Sequence, residues 1–370
     1  MTGKKQTIAL CMIVKNESEV ITRAFDSVRD FVDYYCICDT GSTDGTQEVI
    51  KEYFKKYNLK GDVHDRPWVN FGHNRTECFK LAEGKADYLM TLDADEVIAP
   101  YSNGNAVLGQ KVKNIPELKA DHVMVTTHYG NSRYLRTCFV KNNMGFRWEQ
   151  PVHEYCHSPE EKTKAIIKDI CNYVTTEGAR SKDPKKFLRD ALVFETHLLD
   201  NPEDGRAWFY LAQSYMDALQ PEKALTAIDS ALKYVTWDQE RYILYLRKGR
   251  LLKHLKKPCP DFLDCMFSAY NVCPQRAEAV GEILRYFYET SNWNSLVAFG
   301  SQFQVKEPRP DFLFTEKIAY EWIIPDLLGL GYYNTGNKKL AKKYFMKALS
   351  FDVNEKTKER LKNNINFCIE

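Results

Sequence analysis

The sequence predicts two domains in series: an α/β sheet domain, then an all-α domain of helical repeats. Three observations lead there. A chain of 370 residues is longer than one ordinary hydrophobic core organises. Short apolar runs alternate with helix-period segments from Ile8 to Leu92, which implies a mostly parallel sheet covered on both faces. From Pro184 the strand patterns stop, and amphipathic helices with small residues at recurring offsets take over. The domains read as 1–180 and 184–370.

Within the first domain, Ile8 to Val14 is an apolar run closed by Lys15-Asn16-Glu17-Ser18, and a helical pattern follows through Ala24, Val28 and Phe31. Asp33 to Cys38 is the next strand. It ends in the polar loop Asp39-Thr40-Gly41-Ser42-Thr43-Asp44-Gly45-Thr46, which feeds a helix carrying Val49, Ile50, Tyr53 and Phe54. A short strand at Asp62 to His64 and a helix from Gly72 come next, then the strand Tyr88 to Leu92. That strand runs into Asp93, Asp95 and Glu96, three carboxylates that must be neutralised or stay wet. In such sheets ligands bind beyond the carboxyl ends of the strands, which gathers Asn16-Glu17, Asp39–Asp44 and Asp93–Glu96 on one edge. Neither a phosphate-binding G-x-x-x-x-G-K-S/T loop nor a G-x-G-x-x-G dinucleotide motif occurs. Beyond residue 100, His122 to His128 and Tyr134 to Val140 read as strands. The segment Phe146 to Tyr155 is dense in aromatics, histidine and acids.

Taken together, Met12–Glu17, Asp39–Thr46, Phe71-Gly72-His73-Asn74-Arg75 and Leu92–Glu96 resemble the family 2 glycosyltransferases of GT-A fold, a Rossmann-like mixed-sheet fold that binds nucleotide-diphospho-sugars. The resemblance covers roughly the first 100 residues, and the Asp-Thr-Gly-Ser-Thr-Asp-Gly-Thr loop is its most specific part. It implies that Val14, Asn16, Glu17 and Asp39 line the nucleotide base and ribose. Arg75 would approach ribose or phosphates, Asp93 with Ala94 would face the ribose, and Asp95 would hold a metal on the diphosphate. The chemistry agrees: a leaving nucleoside diphosphate needs its charge neutralised, and Mn²⁺ or Mg²⁺ suits carboxylate and phosphate oxygens. The donor implied by family tendency is a UDP-sugar, though Asp39 would suit thymine or guanine as well.

An inverting transfer also needs a base for the acceptor hydroxyl. Phe146–Tyr155 is similar to the Val-His-Glu segment of family members joined to helical repeats, which makes Glu154 the base and His153 a metal or diphosphate contact. Glu149 and Asp121 are the alternatives for the base, and a structural histidine is the alternative for His153. Trp148 reads as core rather than a sugar platform, Asp44 as the cap of the following helix, and His73 as an exposed loop residue.

The second domain opens with Phe187-Leu188-x-x-Ala191-Leu192. Trp208-x-x-Leu211-Ala212-x-x-Tyr215 with Ala224, Ile228 and Ala231 then fits the tetratricopeptide pattern. A second close copy comprises Leu327, Leu328 and Gly331 with Ala341, Phe345 and Ala348. Tyr242–Leu252 with Cys265–Pro274, and Ala277–Tyr288 with Trp293–Phe303, are degenerate copies, and Lys356 to Phe367 is a capping helix. The resemblance to repeat-bearing family 2 transferases extends here through Phe209–Tyr215 and Arg276-Ala277-Glu278-Ala279. Such stacks offer extended surfaces for a protein or peptide acceptor or for self-association.

Composition bounds the rest. Hydrophobic residues at 44% and charged residues at 28% describe a soluble globular chain. A net charge of +2 makes no electrostatic case for nucleic acid or anionic membrane. Eleven irregularly spaced cysteines without a C-x-x-C pair argue for a reducing compartment, and with no leader or membrane-length apolar run the expected location is cytoplasmic. Two rivals stand beside the transferase reading. One is a repeat scaffold with an inactive first domain. The other is a nucleotidyltransferase, disfavoured by the glycine-poor Lys15-Asn16-Glu17-Ser18.

Overall fold

The computed structural model describes residues 6–102, 104–130, 132–257, 259–309 and 312–368. They form two compact units, Met1–His197 and Leu198–Glu370. No helix among the described residues is long and apolar enough to cross a membrane.

The first unit is built on a nine-stranded sheet. Its elements begin with β1 (Ile8–Val14), α1 (Ile21–Val28), β2 (Tyr34–Asp39), α2 (Thr46–Tyr57), β3 (Gly61–Asp65), α3 (Phe71–Leu81) and β4 (Tyr88–Thr91). They continue with β5 (Glu96–Ser102), β6 (Asn105–Ala106), β7 (His122–Tyr129), β8 (Ser132–Lys141), β9 (Arg147–Glu149), β10 (Tyr155–His157) and β11 (Lys164–Val174). The sheet order is β3-β2-β1-β4-β8-β7-β11-β5-β6, and β9 and β10 pair separately as a small hairpin.

Strand alternation explains how both faces are covered. Ile8, Leu10, Met12 and Val14 of β1 pack with Phe25 and Val28 of α1 and with Ile50 and Phe54 of α2. The opposite face presents Ala9 and Cys11 of β1 and Cys36 and Cys38 of β2, which meet Cys78 and Phe79 of α3. Small side chains on that face let α3 lie close, so four of the scattered cysteines serve as compact apolar packing. Each fully buried large side chain such as Phe25 contributes about 1.5–3 kcal/mol relative to exposure.

The sheet is mixed, where the β/α alternation of the first hundred residues suggests mostly parallel pairing. β3, β2, β1 and β4 are parallel, but β8 joins β4 antiparallel, and β7–β8 and β5–β11 are antiparallel as well. β11 is absent from the sequence reading, although it lies inside the sheet between β7 and β5. Its pairing with β7 shifts register between Ile167 and Cys171, and that bulge breaks the two-residue alternation that would have betrayed a strand.

The second unit is a run of helical pairs. A helix spanning the division, α4 (Lys186–Asp200), precedes α5 (Gly205–Asp217), α6 (Pro221–Tyr234), α7 (Asp238–His254) and α8 (Cys259–Val272). Then come α9 (Ala277–Glu289), α10 (Trp293–Gly300), α11 (Ile324–Asn334), α12 (Lys338–Leu349) and α13 (Glu355–Phe367). Small residues permit the pairing: a Cβ at Gly329 would meet the Phe345 ring at 2.5 Å, so α11 and α12 approach only because that position is glycine. Tyr215 and Phe345 are buried, as packing residues of a repeat should be.

Candidate active site

The site collects where the strand order turns back on itself, at the carboxyl ends of β1, β2 and β4. The loop after β2 is tied to the loop after β1. Asn16 adopts a left-handed backbone (φ 59°), which asparagine tolerates, and its Oδ1 accepts the Thr43 N–H at 2.8 Å. The Asn16 N–H donates to Ser42 Oγ (2.9 Å) and the Glu17 N–H to Thr46 Oγ1 (2.8 Å). The Val14 carbonyl accepts from the Thr40 N–H and hydroxyl. Asp39 is fully buried: Oδ1 accepts the Gly41 and Ser42 N–H groups, while Oδ2 has no partner among the described residues. Contrary to the sequence expectation, Asp44 is not the cap of α2: Gly45 holds that position, in a left-handed conformation and without a side-chain cap bond, and Asp44, one residue earlier, accepts from Thr46 N and Ser18 N. Burial opposes its charge, but the hydrogen bonds from Thr46 and Ser18 prevail and hold the carboxyl at about 2.

Behind this loop runs a row of alternating charge. Arg75, on α3 and 5% exposed, donates through Nε to Glu154 Oε1 (2.6 Å) and through an Nη to Asp93 Oδ1 (2.6 Å). Arg136, on β8, donates to Asp93 Oδ2 (2.9 Å) and pairs with Glu96. Glu96 in turn accepts the Asp93 N–H at 3.0 Å. Burial disfavours the Asp93 charge, yet the two guanidiniums outweigh it and hold the carboxyl well below the usual carboxylate range. Arg75 keeps one Nη sealed from solvent and without a partner among the described residues. Glu154 is nearly buried and uses only Oε1 toward Arg75, and no described residue donates to Oε2.

Asp95 and Glu17 are the opposite case. Asp95 Oδ2 takes only a long bond from Gly178 N (3.3 Å), and Glu17 takes similarly long bonds from Ala179 N (3.2 and 3.3 Å). Burial, then repulsion from Asp93, raises the Asp95 carboxyl. Burial, then the charge of Asp95, pushes Glu17 up to about 7. A Cβ at Gly178 would meet Asp95 Oδ2 at 2.8 Å, so a larger residue there would displace the Asp95 carboxylate.

These two repelling carboxylates fit a hard divalent cation, which accepts such oxygens and would relieve the repulsion. No group of three or more His, Cys, Asp or Glu among the described residues could hold a metal by itself, so any cation there takes further oxygens from a ligand or water. His153 has a left-handed backbone (φ 54°) and stacks on Phe194 of α4, with centroids 6.4 Å apart and planes at 7°. Ala94 is buried in the core beside the acids.

The other sequence candidates fall into structural roles. Trp148 is core, packed on Phe79, with the Arg75 guanidinium 5.5 Å from its ring centre. Glu149 pairs with Arg147 and His157, and Asp121 accepts from Lys162 and Thr163. His73 is exposed at the first turn of α3. Sequence reasoning did not find Arg136, Gly178 or Ala179. An arginine in the middle of an apolar strand was a signal for Arg136, whereas the 175–180 segment carried none.

The matches to a family model and to curated relatives agree with this architecture. Residues 9–131 match the family model described as Glycosyl transferase family 2. A TPR repeat-containing protein of Synechococcus elongatus is 28% identical over 61% of this chain and 55% of its own length. An uncharacterized glycosyltransferase of Rickettsia prowazekii is 25% identical over 50% of this chain and 54% of its own. The chain thus spans about half the length of these curated relatives. Among solved structures, S. aureus TarS 1-349 in complex with UDP-GlcNAc aligns over 73% of this chain and 93% of that one, with 13% identity and a TM-score of 0.41. MamA aligns over 48% of this chain and 92% of its own, with 15% identity and a TM-score of 0.36. The chain carries a family 2 glycosyl transferase domain at its N-terminus, followed by tetratricopeptide-like helical repeats.

Proposed function

We propose that the first unit is a metal-dependent, inverting glycosyltransferase that moves a sugar from a nucleotide-sugar, a UDP-sugar by family tendency, to a hydroxyl of a glycan, peptide or protein. The observation that carries this reading is the contrast at one strand edge: Asp93 is neutralised by two arginines, while Asp95 and Glu17 are left with surplus negative charge. Asp39, with an unpartnered buried oxygen, and the loop held by Asn16 and Val14 suit a nucleobase N–H and a ribose. Asp93 and Ala94 border the ribose, and Arg75 directs its spare N–H toward a ligand oxygen. Asp95 and Glu17 supply carboxylate oxygens for Mn²⁺ or Mg²⁺, with His153 as a further contact to cation or diphosphate. When bound, the cation neutralises charge on the leaving diphosphate.

Glu154 acts as the base. Its Oε2 takes the proton of the acceptor hydroxyl as that oxygen bonds to the anomeric carbon. The bond from that carbon to the diphosphate oxygen breaks, and its electron pair leaves with the nucleoside diphosphate. Arg75 fixes Glu154 through Oε1 and so orients Oε2.

The test is donor hydrolysis and nucleotide binding across UDP-, GDP- and TDP-sugars, with Mn²⁺, with Mg²⁺ and with chelator. Hydrolysis of one donor class that disappears on chelation supports the reading. Absence of both hydrolysis and metal-dependent nucleotide binding refutes it.

A further inference from the structure

A chain with a net charge of only +2 gathers five lysines and no acid on α12: Lys338, Lys339, Lys342, Lys343 and Lys347. The apolar side of this helix, Ala341, Phe345 and Ala348, is buried in the helical unit. At 3.6 residues per turn the lysines spread over the other half of the circumference, and Met346, 55% exposed, stands at the middle of that arc. Lys342 is half-buried and the other four lysines are exposed. None of the five forms a salt bridge with a described residue. Acids on the flanking helices are engaged elsewhere, Asp326 of α11 with Arg360 and Glu355 of α13 with Lys358.

This arrangement works against the helix. Lys338 and Lys342, Lys339 and Lys343, and Lys343 and Lys347 are like charges one turn apart, and Lys338 and Lys339 sit in the first turn, where the helix dipole disfavours cations. A solvated face ordinarily interleaves both signs. Other helices of the same unit do so: Lys248 of α7 pairs with Asp229 of α6, and Lys253 of α7 with Glu289 of α9. An uncompensated field of lysines suits an outside surface that brings the negative charge with it. Lysine is a hydrated point charge without the planar fork of arginine, so it matches a layer of mobile phosphates better than a fixed pattern of acceptors. The exposed arc holds no arginine and no aromatic ring with which to grip a protein carboxylate two-pronged or to stack on a nucleic-acid base. A second apolar side chain accompanies Met346. Lys338 and Lys342 lie near enough to act on the Cys368 thiol, which places the adjacent Phe367, 59% exposed, beside the same face.

We propose that the lysine face of α12 is a peripheral docking surface for a membrane of anionic lipids, with Met346 and Phe367 reaching between the headgroups. The ammonium groups meet lipid phosphates while the lysine stems flank the methionine. This inference is independent of the transferase reading, since it concerns only the helical unit.

The test sediments the full chain with vesicles of phosphatidylcholine alone or mixed with phosphatidylglycerol, at low and at high salt. The chain should bind the mixed vesicles, release them at high salt, and leave phosphatidylcholine vesicles unbound. Lys338→Glu combined with Lys339→Glu should weaken binding about tenfold or more. The same pair should leave the melting temperature unchanged or raised, because acids in the first turn suit the dipole and pair with Lys342 and Lys343. Met346→Ser should weaken binding about threefold, and an unaltered value would remove the apolar contact from the proposal. Equal binding to both kinds of vesicle overturns the proposal. So does no binding by the unaltered protein, or full binding by a folded Lys338→Glu, Lys339→Glu chain. Binding of a single-stranded oligonucleotide with none of the mixed vesicles also overturns it, and makes the face a nucleic-acid surface. Should the glutamate pair fail to fold, Lys343→Gln combined with Lys347→Gln, which only removes charge, is read in the same way.

Discussion

Each unit buries an arginine among carboxylates, and the two networks are built to opposite specifications. In the helical unit Arg276 and Glu278 are fully sealed from solvent. Arg276 bonds Glu278 through Nε and one Nη and bonds Gln239 through the other. Glu278 also accepts from the Tyr242 and Tyr320 hydroxyls and from the Glu316 N–H. Nε and both Nη atoms of that guanidinium have partners, and although burial opposes the charge, Arg276 holds the Glu278 carboxyl below its ordinary value. In the sheet unit, Arg75 keeps an Nη and Asp39 an oxygen without a partner among the described residues, and Glu17 and Asp95 are pushed up. A saturated network joins elements; one with buried unfilled valences is poised for a ligand.

The sharpest way to break this comparison is to remove the cation from the saturated network. Arg276→Leu should cost about 3–5 kcal/mol, because Glu278 is left charged and sealed, and denaturant unfolding measures it. A loss below about 1 kcal/mol would mean that the network is not a structural hub. In the sheet unit the corresponding loss falls on activity. Asp95→Ala should lower transfer about 10²–10³-fold and abolish metal-dependent nucleotide binding, with stability unchanged or improved. Isothermal titration with UDP and Mn²⁺ reads the binding. Glu154→Gln should keep donor binding and lower transfer about 10²-fold; an unaltered rate would place the base elsewhere.

The smallest effect is also the most specific. With a folded-state pKa of about 7, above its ordinary 4.5, Glu17 binds more protons folded than unfolded between those values, so its contribution to stability falls as pH rises through that window. Glu17→Gln should therefore stabilise the protein at pH 8 by about 1 kcal/mol or less, solvent screening included, and hardly at all at pH 4. Melting curves at the two pH values check the sign. By the same linkage, Mn²⁺-dependent nucleotide binding in the unaltered protein should weaken as pH falls through about 7.

Much of the fold was legible because its signals are local. The apolar run Ile8–Val14, the acids closing the strand at Tyr88, and the repeat offsets Leu211-Ala212-x-x-Tyr215 all depend on side chains a few residues apart. Local order also placed Asn16, Glu17, Asp39, Asp93 and Asp95 on one sheet edge, since in a parallel sheet the carboxyl ends share a side.

Tertiary structure decided which carboxylate stays charged without compensation. Asp93 and Asp95 are two residues apart and chemically identical. What divides them is Arg136, 43 residues beyond Asp93 on a strand whose neighbour is set by antiparallel pairing, and Gly178, which follows the bulged strand β11. The sequence by itself determined the alternation of elements, the acidic strand edge and the helical repeats. Long-range pairing determined how the charges are shared, because electrostatic neutralisation depends on distance in space and sequence spacing does not specify it.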